Sequence, residues 1–390
     1  MTRFGWHPEA RLIDAAGNAI GPTQGQGGVL SPDPSASALA GALSGAPFRI
    51  GAPEAPAPSE GFETLTSGST GSPRRIARDF ASWCASFAVN AGLFGTGPQA
   101  QVAILGPLVQ SLSLYGAIEA LHLGAHLHDL APLRPDRQRK AIADRRIGLI
   151  WASPPQLQLL VDAKGAALPS VRTLMIGGAA LSPALTCDLA ASFPNAAIIQ
   201  FYGAAEASFV TLSDAQTPAG SVGRAYPGVE IALGHPDAPR PEGRVWVRSA
   251  YVFQGYAGPD AGIAEWHEGW LGLGEVGRWD GAYLRLDGRI DRMVTIAGHN
   301  IYPEAIEALI LTCPGIRCAA ILPVPDAKRG HSLTAILQGD PAREAEVLRS
   351  VRARFGQIAT PRRILWRAAD WPLLASGKVD LRALAEGGQE

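Results

Sequence analysis

The chain of 390 residues is poor in charge. Asp, Glu, Lys and Arg make up 18% of it and the formal net charge is −1. No field of one sign exists that would draw in nucleic acid or an anionic membrane surface. Cysteine is sparse: Cys84, Cys187, Cys313 and Cys318 are scattered without a CxxC pair. That argues against a disulfide framework or a zinc ribbon and for a reducing compartment. The opening MTRFGWHPEARLIDA has no apolar core, so it does not read as a secretory signal. A membrane span is missing too. The most apolar run, 102–121, contains Gln110, Ser111, Ser113 and Glu119, a mixture that a bilayer would not tolerate cheaply. No internal repeat is visible. These absences lead to the expectation of a cytoplasmic protein. Its hydrophobic content, 47%, suffices for real cores in one large or two ordinary domains.

What is present is an alternation. Residues 15–60 are dense in Gly, Ala, Pro and Ser and read as loop or short irregular structure. From Phe62 onward, strand-like runs at 102–105, 124–130, 147–153, 172–178 and 196–203 alternate with helical patterns at 117–123, 135–145, 154–163 and 183–192. This rhythm predicts an α/β fold: a large amino-terminal lobe with mostly parallel sheet layers. From about Ser221, VEIALG, EGRVWVRS and GAYLRLDGR alternate apolar and polar between glycines, which predicts a small antiparallel β region. After Arg289 a helix, two strands and a helix near 341–355 predict a small α+β carboxy-terminal lobe. The expected boundaries are 1–60, 61–288 and 289–390.

Several stretches carry chemistry. TSGSTGSPRR, 66–75, follows a strand-like FETL and precedes IARDFASWCASF, read as helical. Its glycine and serine backbones could turn N–H groups inward around an anion, with hydroxyls and Arg74 adding donors. It is not the GxxxxGK[ST] phosphate loop, and on this stretch alone a linker is an equal reading. QFYGAAEASF ends a strand with Tyr202, Gly203 and the lone carboxylate Glu206, which by itself reads as a helix amino-terminal charge. Glu275 and Arg289 follow, then AGHNIYPEAIE with Pro303 opening a helix, and LLASGKVDLRAL with Lys378. His122, His126 and His128 have metal-like spacing, but satisfied or solvent-facing histidines are the preferred reading.

In this order the stretches resemble the adenylate-forming superfamily of acyl-CoA synthetases, aryl-CoA ligases, adenylation domains and luciferases. Its patterns are approximately TSG[ST]TGxPK, YGxTE, TGD, GRxDDxIKxxGxxIxPxEIE and PxTxxGKxxR. GGAALS (177–182) and SVGRAYPGVEI (221–231) also look like family segments, and the likeness runs from about Phe62 to Leu384. The resemblance implies attack of a carboxylate on the α-phosphate of ATP, then displacement of AMP by the thiol of coenzyme A or of a separate acyl carrier protein. It implies that Thr66, Ser67, Gly68, Ser69, Thr70, Gly71 and Arg74 cradle the polyphosphate, and that Glu206 ligates Mg²⁺. Tyr202 and Gly203, with the turn Gly177, Gly178 and Ala179, would meet the adenine. Glu275 would accept from the ribose, Arg289 would lie close to the nucleotide, and Lys378 would bridge carboxylate and α-phosphate. Asp291 would be the pivot of a swinging small lobe, and Gly298 would face the thiol arm.

The chain departs from the family patterns at Arg74 (lysine), Ala205 (threonine), Glu275 (aspartate) and Thr295 (lysine). Gln110 falls near a frequent histidine. Only about sixty residues precede the loop, so part of the usual large-lobe scaffold is expected to be absent or abbreviated. The acyl-pocket segment, GPLVQSLSLYGAIEAL, has no carboxylate before Glu119. Leu108, Val109, Leu112, Leu114 and Tyr115 are expected to line an apolar pocket for a fatty or aromatic acid. The competing readings are a carrier-protein loader and a nucleotide- or acyl-adenylate-binding relative with weakened catalysis.

Overall fold

Short strands with almost no polar side chains can be buried on both faces only if helices cover both, which favours parallel pairing. The largest sheet follows this logic. In the computed structural model, which describes residues 3–22, 29–30, 38–51, 58–66, 74–368, 370–374 and 379–387, strand Gln101–Ile104 lies between His126–Asp129 and Leu149–Ala152, parallel to both. Thr173–Ile176 and Ala197–Ala204 extend the sheet in parallel on one side, and Arg11–Ile13 does so on the other. Antiparallel strands finish both edges: Ala19–Ile20 at one, Ser208–Leu212 and Arg224–Ala225 at the other. Helices Ser111–His122, Pro135–Asp144, Pro154–Asp162 and Pro183–Ser192 make the crossovers. Three of them open on proline, whose missing N–H costs nothing in a first turn.

The chain leaves Gln101–Ile104 to one side and then crosses to the other. At such a reversal the connections diverge and open a crevice beyond the carboxyl ends of the strands. The packing here is tight. A Cβ added to Gly116 would lie 2.5 Å from the Trp151 ring, so a glycine lets helix Ser111–His122 approach the sheet.

A second sheet is antiparallel: Ala238–Pro239, Glu230–His235, Glu242–Arg248, Trp270–Asp280 and Trp266–His267 in order, with Tyr283–Arg289 also on Trp270–Asp280. A third joins Gly255–Ala257, Arg75–Arg78, Phe62–Leu65, Phe48–Ile50 and Val29–Leu30. Beyond residue 290, Ile316–Asp326, Gly330–Gly339 and Arg363–Trp366 form a three-stranded sheet covered by helices Pro303–Ile310 and Glu344–Phe355. Its apolar side chains form clusters of their own, among them Ile306, Ile321, Leu337 and Val351. The fold is α/β with mostly parallel strands in the large sheet, an antiparallel β region and an α+β carboxy-terminal portion.

The sequence reading fails at four places. Residues 76–78, taken as the start of a helix, belong to strand Arg75–Arg78. Arg75, Ile76, Ala77 and Arg78 alternate between half-buried and buried positions and pair on both sides, and the helix begins at Phe80. Arg11–Ile13 went unrecognised because three residues carry no visible period; Leu12 is nonetheless fully buried. The hairpin Val294–Ile296/His299–Ile301 and strand Arg363–Trp366 were also missed.

The histidines at 122, 126 and 128 are engaged by protein atoms. His122 accepts from the Gly5 N–H, and Gln101 meets both His126 and His128. His128 Nε2 lies 2.8 Å from Gln101 Oε1, while Nδ1 is buried with no hydrogen-bond partner among the described residues. Burial first, then the charges of Arg145 and His126, lowers its pKa from 6.5 to about 4. Between those values the unfolded chain binds a proton that the folded chain refuses, so stability falls as pH drops through this window. At pH 5 the loss is about 2 kcal/mol. Denaturant unfolding at pH 7 and pH 5 is expected to show that loss in the native chain and a flatter response in His128→Gln.

Candidate active site

Of the side chains singled out in the sequence, Arg74, Tyr202, Glu206, Glu275, Arg289 and Asp291 fall into two neighbouring groups. Glu206 is not at a helix terminus. It occupies the turn of the hairpin between Ala197–Ala204 and Ser208–Leu212. The glycine before it is obligatory, since a Cβ on Gly203 would lie 2.1 Å from the Ser208 carbonyl oxygen. The turn is held from outside by Arg78, 1% exposed. Its guanidinium donates to the Ala205 carbonyl at 2.6 and 3.2 Å and to the Tyr251 carbonyl at 2.8 Å. Burial lowers the Arg78 pKa to about 10, the charge of Glu206 opposing it, so the cation persists at neutral pH. The Phe253 N–H donates to the Glu206 carbonyl at 2.7 Å.

The Glu206 carboxylate accepts from the Tyr256 hydroxyl at 2.7 Å through Oε1. Burial, then the neighbouring Glu206 charge, raises the Tyr256 pKa. The Arg74 guanidinium lies 5.5 Å from the centroid of the Tyr256 ring and 3.9 Å from Asp260. Thr66 and Arg74 close the neck of the loop: the Thr66 N–H donates to the Arg74 carbonyl at 2.8 Å, and the Arg74 N–H donates to Thr66 Oγ1 at 2.8 Å. Ser67, Gly68, Ser69, Thr70 and Gly71 lie outside the described residues, as does Lys378. Just outside the latter segment, Leu373 and Val379 form an antiparallel bridge, and Asp380 accepts from the N–H groups of Arg382 and Ala383.

A second group forms around Glu275. It faces Arg289 across paired strands. Its Oε1 accepts from Arg289 Nη1 at 3.2 Å and its Oε2 from the Tyr202 hydroxyl at 3.1 Å. Arg289 also makes two bonds of 2.9 Å to Asp291, a bidentate pair. That pair lowers the Asp291 pKa and raises that of Arg289. Burial, then the charge of Glu275, raises the pKa of Tyr202. The charge of Glu206 adds a lesser effect on both Tyr202 and Arg289.

Gly177, Gly178 and Ala179 follow strand Thr173–Ile176 at its carboxyl end. Gly178 takes φ +90, and Gly177 packs on the Phe201 ring. Gly298 stands apart, at φ +84 in the turn of the hairpin Val294–Ile296/His299–Ile301. The expected apolar wall is altered. Leu108, Leu114 and Tyr115 are packed in the core, and Tyr115 bonds to Ser86 and Asn90. Val109 and Leu112 are half-buried, and Gln110 meets Gln156 at 3.3 Å. Glu119 is buried and accepts from Asn90 at 2.7 Å, and burial raises its pKa to about 8. Sequence reasoning missed Tyr256 and Arg78. Neither stands in a recognisable pattern, and both act through contacts distant in the chain.

A loop neck with a cation, an acid at a strand end and an Arg–carboxylate pair, at the mouth of a parallel sheet, make up the candidate site. The model of the AMP-binding enzyme family matches residues 49–257, and that of the AMP-binding enzyme C-terminal domain matches residues 305–378. The chain belongs to the AMP-binding enzyme family. It is 30% identical over 329 residues to an uncharacterized acyl-CoA ligase, YhfT, of Bacillus subtilis strain 168, covering 81% of this chain and 66% of the relative. It is 31% identical over 318 residues to a provisionally named long chain fatty acid-CoA ligase, VraA, of Staphylococcus haemolyticus, covering 81% of this chain and 68% of the relative. The chain thus spans about two thirds of the length of these curated relatives. Among solved structures it is similar to the amide bond synthetase McbA of Marinactinospora thermotolerans, with a TM-score of 0.74 and 26% identity over 84% of this chain and 68% of that one. Among the described residues, no helix is long and apolar enough to cross a membrane.

Replacing Arg78 by Met strands the Ala205 and Tyr251 carbonyls, at a cost on the order of 3 kcal/mol. Arg78→Lys keeps the charge without the fork and is expected to fall between. Urea unfolding of the three chains checks the order.

Proposed function

We propose that the chain activates a carboxylic acid with ATP and Mg²⁺ and passes the acyl group to coenzyme A. A carboxylate oxygen attacks the α-phosphorus and pyrophosphate leaves. The thiol sulfur then attacks the acyl carbonyl, its proton is lost, and AMP leaves. The observation that carries this reading is that strand Ala197–Ala204 and the turn after it hold Tyr202 against Glu275 and Glu206 against Tyr256, whose ring centroid lies 5.5 Å from the Arg74 guanidinium. The names of the two relatives, both acyl-CoA ligases, support it.

In this reading residues 66–74 bind the polyphosphate through backbone and hydroxyl donors, with Arg74 adding charge. Glu206 suits Mg²⁺ because it is a hard oxygen donor whose Oε2 has no hydrogen bond among the described residues, and the bound ion neutralises phosphate charge. Glu275, oriented by Arg289 and Tyr202, accepts from the ribose diol. The turn 177–179 and Tyr202 meet the base. Lys378 stabilises charge developing between carboxylate and α-phosphate. The portion from residue 289 then turns about Asp291 and brings Gly298 to the thiol arm. Its separate apolar clusters suit a body that moves as a unit.

The acid proposed is fatty or aromatic. Val109 and Leu112 offer apolar surface, and Glu119, the carboxylate of the adjoining helix, is buried against Asn90 and cannot hold a substrate ammonium.

The test is pyrophosphate and AMP release from ATP and Mg²⁺ with fatty, aromatic and amino acids, each with coenzyme A, a carrier protein, an amine or no acceptor. A fatty or aromatic acid is expected to release pyrophosphate, and AMP release to depend on coenzyme A. Lys378→Ala is expected to lower pyrophosphate release by about 10²–10³ while leaving the fold intact. Nucleotide binding without turnover on any acid overturns the activity, and amino-acid-dependent release overturns the substrate class.

A further inference from the structure

Outside the site, three metal-capable side chains converge on the antiparallel sheet. His235 ends strand Glu230–His235 and pairs with Ala238 across a two-residue turn, Pro236–Asp237. His267 ends strand Trp266–His267 and pairs with Trp270 across a second two-residue turn, Glu268–Gly269. Each histidine therefore stands at the shoulder of a tight hairpin. Proline presets the backbone of the first turn, and positive φ at Glu268 (+45) and Gly269 (+82) defines the second. The two shoulders face each other. The imidazole centroids are 4.6 Å apart. Asp237 Oδ2 lies 2.8 Å from His267 Nε2 and 3.6 Å from His235 Nδ1. One potential ligand atom from each of the three residues lies within 4.8 Å of the others.

We propose that His235, Asp237 and His267 bind a first-row divalent cation of the Zn²⁺ type. Four ligands placed tetrahedrally about 2.0–2.1 Å from zinc stand roughly 3.3 Å from one another. The His267–Asp237 and His235–Asp237 separations bracket that value, and small side-chain rotations close the third. These rotations are open to the side chains, which are 51%, 61% and 31% exposed at His235, Asp237 and His267. The same exposure admits the ion and leaves a fourth position for water. Two imidazoles and one carboxylate select zinc, cobalt, nickel or copper over magnesium, which takes oxygen donors. Among the described residues, the hydrogen bond to be given up at His235 is a long one, 3.3 Å from the Asp237 N–H to Nδ1. The bound ion would tie the two hairpins together independently of the Mg²⁺ used with ATP.

The experiment titrates the chelator-stripped chain with Co²⁺ alone and reads its visible d–d absorption. One equivalent is expected to bind, to be displaced by Zn²⁺ and to resist millimolar Mg²⁺. His235→Ala and His267→Ala are each expected to weaken binding at least about tenfold, Asp237→Asn to weaken it as well, and His331→Ala to leave it unchanged, all with native circular dichroism. Absence of saturable absorption, retention of it in both histidine variants, or displacement by Mg²⁺ overturns the site.

Discussion

The site hangs on one buried cation. Arg78 lies on a strand of the mixed sheet that includes Phe62–Leu65, yet its guanidinium reaches the turn carrying Glu206 and the carbonyl of Tyr251. An unpaired guanidinium in the interior would be prohibitively costly. Here its donors are met by backbone carbonyls that also need partners. The arrangement therefore holds only when the parallel sheet, the mixed sheet and the segment before Gly255–Ala257 are all in place. The same strand pairs with Gly255–Ala257 and so delivers Tyr256 to Glu206. Position and hydrogen bonding of the acid follow from one strand, Arg75–Arg78.

The second group depends on a different constraint, strand register. Glu275 and Arg289 are directly opposed on adjacent antiparallel strands. A slip of one residue in either strand would send its side chain to the other face and part the pair. Asp291, two residues beyond, then takes the remaining donors of Arg289 in a bidentate pair. The pair sits at the junction between the antiparallel sheet and the carboxy-terminal portion, so orientation of the site and the course of the chain into that portion are coupled.

Much of this was legible in the sequence. The buried parallel strands appear as apolar runs, and their crossover helices as periodic segments opening on proline. Glu206, Glu275 and Arg289 were singled out through order and spacing, because the family likeness is carried by short contiguous patterns. Where no local pattern exists the reading failed. Glu206 was assigned to a helix start, and residues 76–78 to a helix, because propensity over a few residues is a weak signal against sheet pairing on both sides. The apolar segment around Leu114 and Tyr115 was read as pocket, but those side chains fill the core. Hydrophobicity alone does not tell a lining residue from a packing one.

The sequence by itself determined the α/β class, the family and most of the polar residues of the candidate site, since each leaves a mark within a dozen residues. Only the tertiary structure decided which of them touch. Tyr202 and Glu275 are 73 positions apart, Tyr256 and Glu206 are 50 apart, and Arg78 and Tyr251 are 173 apart. Such contacts arise when sheets and turns pack together, and neither partner needs a neighbour in sequence that announces it. That is why the partners of Glu206, the clamp beneath it and the facing histidines of two hairpins became visible only in three dimensions.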